Sequence, residues 1–192
     1  MYGFLLEAPP TPLRTLLPDL GIFVTSLSKA VAPGLRVGWL AAPAMLVPQL
    51  AAAIRASVLM ASSIAAELAT QAIASGAAER AARAQRDEAR ARQRLAAIRL
   101  SGLDFRSHPS AFHGWLAVPA PWRRDDFTAA LHARGVLVTR GSAFAGSTAA
   151  REAETHVRLC LCAIPDRARL ATALDIIASV AEEDASYRLP VV

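Results

Sequence analysis

Apolar and polar positions along the chain fall into two regimes: short alternating runs near both ends, and a long stretch of helical spacing between them. Gly21-Ile22-Phe23-Val24-Thr25-Ser26 is apolar and β-branched on a glycine boundary, which predicts a short buried strand. Leu35-Arg36-Val37-Gly38-Trp39-Leu40, after the turn signal Pro33-Gly34, predicts a second strand. Residues 45–100 are helical in composition, punctuated near Ser62-Ser63 and Ser75-Gly76. Within them, residues 77–100 place Ala84, Ala91, Leu95 and Ile98 at helical spacing with the arginines largely elsewhere, which predicts one long amphipathic helix. The remainder predicts strands over 105–108, 112–118, 136–139 and 156–163, with helices over 125–133 and 166–183, the latter opened by Pro165-Asp166. The opening Met1-Tyr2-Gly3-Phe4-Leu5-Leu6-Glu7 runs into Ala8-Pro9-Pro10-Thr11-Pro12 and predicts neither a helix nor a hairpin to anchor it.

Composition narrows the class. With 192 residues, 54% hydrophobic and 19% charged, the chain has ample apolar surface for one or two small domains, and disordered or fibrous states are excluded. The apolar excess points to surface that meets something else. Two cysteines, Cys160 and Cys162, cannot staple a secreted fold. Two apart on one predicted strand, they read as core packing. With His156 on the same strand they offer no tetrahedral ligand set, so no metal site is expected. The N-terminal stretch lacks a basic n-region and carries Glu7, so it does not read as a secretory signal. The longest uncharged run, residues 37–54, is broken by Pro43 and Pro48, so no membrane contact is expected and the cytoplasm is the expected location.

Net charge is +5, which raises the question of nucleic acid. The arginines at 80, 83, 86, 90, 92, 94 and 99 are interleaved with Glu79, Asp87 and Glu88, and Glu79–Arg83 and Glu88–Arg92 are i,i+4 pairs. That pattern reads as a solvated helix face, and direct nucleic-acid contact by this region is not expected. The basic count changes the picture in another way. Of 21 basic residues, 20 are arginine, and the single lysine is Lys29. Where a composition replaces lysine with arginine wherever either serves, a surviving lysine marks chemistry that only an amine performs, such as imine formation with an aldehyde.

Lys29 sits in Thr25-Ser26-Leu27-Ser28-Lys29-Ala30-Val31-Ala32-Pro33-Gly34-Leu35-Arg36-Val37-Gly38. Hydroxyls lie three and one residues before it, and Pro33-Gly34 would turn the chain so that Arg36 returns towards the same place. An amine, hydroxyls and a guanidinium fork suit a phosphate-bearing aldehyde. As bare spacing, a surface lysine and a solvent-facing strand arginine remain equally open.

The pattern Ser-x-Ser-Lys-x-x-x-Pro-Gly-x-Arg-x-Gly resembles the lysine-site signature of the fold-type I, class I/II aminotransferases, and Trp39-Leu40-Ala41-Ala42-Pro43 is similar to the MocR branch, whose members join a GntR-type DNA-binding domain to an aminotransferase-like domain. Residues 135–144 resemble a small-domain segment of the family, with Arg140 where proline is usual. Phe112-His113-Gly114-Trp115 and His156-Val157-Arg158-Leu159 are similar to two small-domain strands.

The resemblance implies an α/β chain that is the C-terminal part of a pyridoxal-phosphate-dependent transferase fold. Residues 1–76 would be a fragment of the large cofactor-binding domain, 77–100 a long connecting helix, and 101–192 the small α+β domain. It implies Lys29 as the catalytic lysine, Ser26, Ser28 and Arg36 at the phosphate of pyridoxal 5'-phosphate, and Tyr2 at its phenolic oxygen. It also implies Arg158 at the substrate α-carboxylate, although an arginine alternating with Val157 and Leu159 admits a water-facing reading. An amino acid and a 2-oxo acid would be the substrates, in a homodimer. The family's acidic partner of the pyridinium nitrogen, its ring-stacking aromatic and its glycine-rich phosphate turn fall before residue 1, so the sequence reads as a truncated or split half. The second reading is a MocR-type regulator fragment that senses an amino compound without turnover.

Overall fold

The computed structural model describes residues 2–146 and 153–183 and divides the chain into two units, Met1–Asp87 and Glu88–Val192. In the first unit, a 3-10 turn over Gly3–Leu5 and a single helical turn α1 (Leu13–Leu16) precede the strand β1 (Phe23–Ser26). A loop with a 3-10 turn at Pro33–Leu35 leads to β2 (Gly38–Ala41). A further 3-10 turn at Ala44–Leu46 leads into α2 (Val47–Val58), followed by α3 (Ser63–Ala74) and the start of α4 (Ala77–Arg99). The expected punctuation is where the helices break. Ser62 caps α3 by accepting from the Ala65 amide at 3.3 Å, and Ser75-Gly76 separates α3 from α4.

The opening segment departs from expectation. α1 forms after Pro12, and its Arg14 donates to the carbonyls of Pro18 and, at 3.2 Å, of Ala42 just past β2. Arg86 on α4 reaches the Phe4 carbonyl at 2.9 Å from Nε. These arginine–carbonyl bonds anchor a proline-rich stretch that has no core of its own, and no hydrophobic pattern announces them. The strand expected to be buried is also different. β1 and β2 pair antiparallel and, among the described residues, only with each other, so Phe23 (38%), Val24 (56%), Trp39 (42%) and Leu40 (42%) remain exposed.

The second unit is a four-stranded antiparallel sheet with helices on one face. Its strands are β3 (Phe105–Arg106), β4 (His113–Ala117), β5 (Thr139–Arg140) and β6 (His156–Cys160), in the order β3-β4-β6-β5. Its helices are the C-terminal part of α4, α5 (Arg124–Ala133) and α6 (Arg167–Glu182), the last capped by the Asp166 carboxylate on the Arg169 amide at 2.7 Å. Alternation assigns Leu116, Val157 and Leu159 to the face that packs with Phe127, Leu131, Leu170, Leu174, Ile177 and Val180. Each fully buried side chain there stabilises the fold by about 1.5–3 kcal/mol relative to exposure.

Three expectations need correction here. The fully buried stripe of α4 is Ala89, Arg92, Gln93 and Ala96; of the expected positions Leu95 packs against the core and Ala91 is half-buried, while Ala84 and Ile98 are exposed. In an alanine-rich helix the apolar signal is weak, and polar bonds choose the buried face instead. Arg92 is the strongest case: expected in solvent, it is buried, donating to the carbonyls of Leu161 (2.8 Å), Ile164 (2.6 Å) and Pro165 (3.1 Å) and to Glu88 (2.6 Å). The expected strand over 136–139 narrows to Thr139–Arg140, leaving Leu137 exposed. Strand β6 ends at Cys160, which is exposed, while Cys162 lies beyond it, half-buried, its thiol pushed up to about 11 by burial. The pair is therefore not joint core packing. Among the described residues no helix is long and apolar enough to cross a membrane, and no group of three or more His, Cys, Asp or Glu side chains is placed to hold a metal ion.

Glu88 joins α4 to α6 by accepting from Arg92 and from Arg167 (2.6 Å), and these bonds, Arg167 first, hold its carboxyl down to about 2 from 4.5. A carboxyl depressed in the folded state stabilises fully above pH 4.5 and loses that contribution as the pH falls through about 2. Glu88→Gln is expected to cost about 1 kcal/mol, the scale of a solvent-screened pair. In urea titrations the gap between wild type and variant should be constant above pH 4.5 and close as the pH approaches 2. A gap independent of pH would contradict this assignment.

Candidate active site

The loop between β1 and β2 carries the lysine motif. The register places Ser26 opposite Gly38, and the Leu27 amide meets the Val37 carbonyl at 3.4 Å, so the two ends of the loop meet at its base. Directly after Leu27 the chain makes a helical turn, with the Val31 amide donating to Leu27 at 2.8 Å, and Lys29 is exposed on that turn. Proline and glycine then start the 3-10 turn, which ends at Arg36 in the left-handed region (φ 50°, ψ 30°). A non-glycine residue there costs roughly 1–3 kcal/mol and is retained where the surroundings determine it. Gly38 has a separate reason: a Cβ would sit 2.7 Å from the Thr25 carbonyl oxygen, so the strands could not close. The motif's last glycine thus serves the hairpin that closes the loop.

Ser26 and Ser28 are half-buried, whereas Lys29 and Arg36 are exposed. No described residue gives the Lys29 amine or the Arg36 guanidinium a hydrogen bond or ion pair. One amine, one guanidinium and two hydroxyls on one closed loop form a donor set that fits a phosphorylated aldehyde. Tyr2 stands before the Gly3–Leu5 turn, 39% exposed. The sequence thus brings Ser26, Ser28, Lys29 and Arg36 to one loop, while Tyr2 comes from another element.

Arg158 belongs to the second unit, on the face of the sheet opposite the helices. Its cross-strand neighbours are Trp115 on β4 and Thr139 on β5. The guanidinium carbon lies 4.5 Å from the centroid of the Phe144 ring, and Nη2 reaches Thr139 Oγ1 at 3.4 Å. Its Nε is buried with no hydrogen-bond partner, and no described carboxylate pairs with the side chain. A half-buried cation with no counter-charge among the described residues is the kind of group that an anion would stabilise. Arg158 is thus half-buried among aromatic neighbours rather than fully exposed on the sheet.

Sequence reasoning missed the residues around it. Trp115 meets Phe144 edge-on at 6.1 Å and stacks on His156 at 5.6 Å. Trp115 could have been found as the aromatic that alternates with Gly114 and Leu116; Phe144 lies on the 3-10 turn Gly141–Phe144, where no period signals it. Arg140, at the position of the family's usual proline, forms an edge-strand pair with Val157 and an ion pair with Asp125 at 3.5 Å. Two solvent-lined grooves of this unit, one lined by Arg134 and Arg169 and the other by Arg123 and Glu154, contain none of the expected site residues.

The comparison with known families defines the class. Residues 4–177 match the family model for class I and II aminotransferases, and the chain belongs to that family. The aspartate aminotransferase of Thermus thermophilus, solved with maleate, is similar with a TM-score of 0.79 at 26% identity, over 93% of this chain and 46% of that one. Kynurenine aminotransferase of Pyrococcus horikoshii, solved with PMP, gives a TM-score of 0.80 at 19% identity, over 93% and 45%. LysN, the α-aminoadipate aminotransferase of Thermus thermophilus, in complex with N-(5'-phosphopyridoxyl)-L-leucine, gives 0.74 at 21%, over 94% and 47%. The chain therefore spans about half the length of the solved structures it matches. No curated protein matches its sequence.

Gly141 is the close approach on which the Arg158 face depends. A Cβ there would lie 2.4 Å from the Ala153 carbonyl oxygen, 2.8 Å from that of His156 and 3.1 Å from the Trp115 ring. Gly141→Ala is expected to destabilise the chain by about 2 kcal/mol and to alter the near-ultraviolet circular dichroism of the Trp115 cluster. Unchanged stability and spectrum would refute the tight packing described here.

Proposed function

We propose that this chain is the lysine-bearing and small-domain part of a pyridoxal-phosphate-dependent aminotransferase that moves an amino group between an amino acid and a 2-oxo acid. The observation that carries it is the β1–β2 loop, which collects the chain's single lysine, two hydroxyls and an arginine without a partner among the described residues on one closed turn. When bound, pyridoxal phosphate supplies an aldehyde for the amine and an electron-withdrawing ring that acidifies the amino acid's Cα–H. Arg36, Ser26 and Ser28 hold the phosphate through charge-assisted hydrogen bonds. The phenol of Tyr2 donates to the ring oxygen. Lys29 Nζ would take the proton from Cα and, as general acid, deliver it to the carbon that carried the cofactor's aldehyde. Arg158, with no counter-charge among the described residues, would hold the substrate α-carboxylate.

The division expected from the sequence, with residues 1–76 in the large domain and 101–192 in the small one, belongs to this reading, as do a homodimer, a cytoplasmic location and no direct nucleic-acid contact. The MocR alternative rests only on the resemblance of Trp39-Leu40-Ala41-Ala42-Pro43, and no comparison supports it. Under that alternative the loop binds the cofactor and an amino compound, and no keto acid forms.

Incubation with pyridoxal phosphate, borohydride reduction and peptide mapping test the proposal. A stable adduct is expected on Lys29, absent in Lys29→Ala and reduced about tenfold or more in Arg36→Ala at limiting cofactor, the scale of one charged phosphate contact. Labelling confined to the N-terminal amine would overturn it. Keto-acid release from an added amino acid distinguishes the enzyme from the sensor.

A further inference from the structure

Arg158 is held in place by aromatic contacts. Phe144 is 49% exposed and lies outside the hydrophobic core, yet its ring sits against the guanidinium at 4.5 Å, inside the range of about 6 Å over which an aromatic face attracts a cation. Its own position is set by Trp115, which meets it edge-on at an interplanar angle of 72°. Trp115 in turn is Arg158's cross-strand neighbour and stacks at 15° on His156, so ring and guanidinium are supported from the same pair of strands. The turn carrying Phe144 starts at Gly141, whose backbone lies where no Cβ fits. An exposed phenylalanine contributes little to the core, so its placement calls for another reason. The polar contact in the same place is weak, since Thr139 Oγ1 is 3.4 Å from Nη2.

We propose that Phe144, set by Trp115, is a positioning residue for Arg158: its ring fixes the plane of the guanidinium so that both donors on its open edge meet a carboxylate at once. The inference rests on the reading of Arg158 as the carboxylate-binding residue. A flexible arginine loses rotamer entropy when it grips a ligand, and a stacked one has lost it already. The ring does not touch the carboxylate in this arrangement; it acts through the arginine. An aliphatic residue of similar bulk would fill the space without attracting the cation, and a tyrosine would preserve the π-face.

The test is a maleate titration of the full chain followed through the Arg158 side-chain Nε–H resonance by NMR, in wild type, Phe144→Leu, Phe144→Tyr and Arg158→Lys. Maleate serves as the carboxylate probe. The wild type should saturate, Phe144→Leu should bind about fivefold more weakly on the cation–π scale, and Phe144→Tyr should restore wild-type affinity. Arg158→Lys, followed through backbone amides of β6, should lose binding. Equal affinity in Phe144→Leu and wild type, with binding lost in Arg158→Lys, would overturn the positioning role and leave the carboxylate site standing. Equal weakening in the Leu and Tyr variants would also overturn it, because bulk alone would then be the cause. Wild-type binding in Arg158→Lys would overturn the carboxylate reading and this inference with it. A measurement on the unliganded wild type covers the case in which Phe144→Leu fails to fold. Rotation about the Nε–Cζ bond should be slower at Arg158 than at the exposed Arg94, and equal rates would contradict the stack.

Discussion

The antiparallel pairing of β6 between β4 and β5 is the constraint on which the second unit rests. Because side chains alternate, the register that sends Val157 and Leu159 into the core sends His156, Arg158 and Cys160 to the opposite face. A slip of one residue would bury the arginine among leucines and expose the core. Helix packing and site geometry therefore have one cause. The same register places Trp115 and Thr139 beside Arg158, and the turn after β5 brings Phe144 against it. Burial of the leucine face stabilises the unit, and that stability holds Arg158 in an arrangement with no counter-charge among the described residues.

In the first unit the hairpin has the corresponding role on a smaller scale. Four paired residues per strand close a loop whose buried apolar side chains are Ala30 and Val37, and Gly38 permits the approach. The left-handed turn at Arg36 is the strained point of that closure. A short hairpin of this kind is marginal without further burial. Arginine bonds to carbonyls at the start of the unit, from Arg14 and Arg86, add directional contacts where apolar burial is thin.

Much of this was legible in the sequence because it rests on short-range signals. Ser62, Ser75-Gly76 and Asp166 marked helix ends through capping chemistry, and they stand at those ends. The lysine loop was legible because its residues are contiguous. What was not legible depends on distant partners. Arg92 looks like its neighbours in an arginine-rich helix, and only the carbonyls of the β6–α6 connection distinguish it. Phe144 is likewise one aromatic on a loop until the register of three strands sets Arg158 beneath it. The buried-strand expectation for residues 21–26 failed because composition reports what a strand can bury, and in this hairpin the strands pair only with each other among the described residues.

The family assignment and the closed lysine loop support the proposed account, in which the β1–β2 loop is a combined amine and phosphate site. Its most direct test is a comparison of equilibrium affinity for pyridoxal phosphate and for pyridoxal, which share the aldehyde and ring and differ in the phosphate. The account predicts that the phosphate tightens binding by about tenfold or more, as charge-assisted contacts do, and that the difference vanishes in Arg36→Ala. Equal affinities for the two aldehydes in the wild type would contradict it.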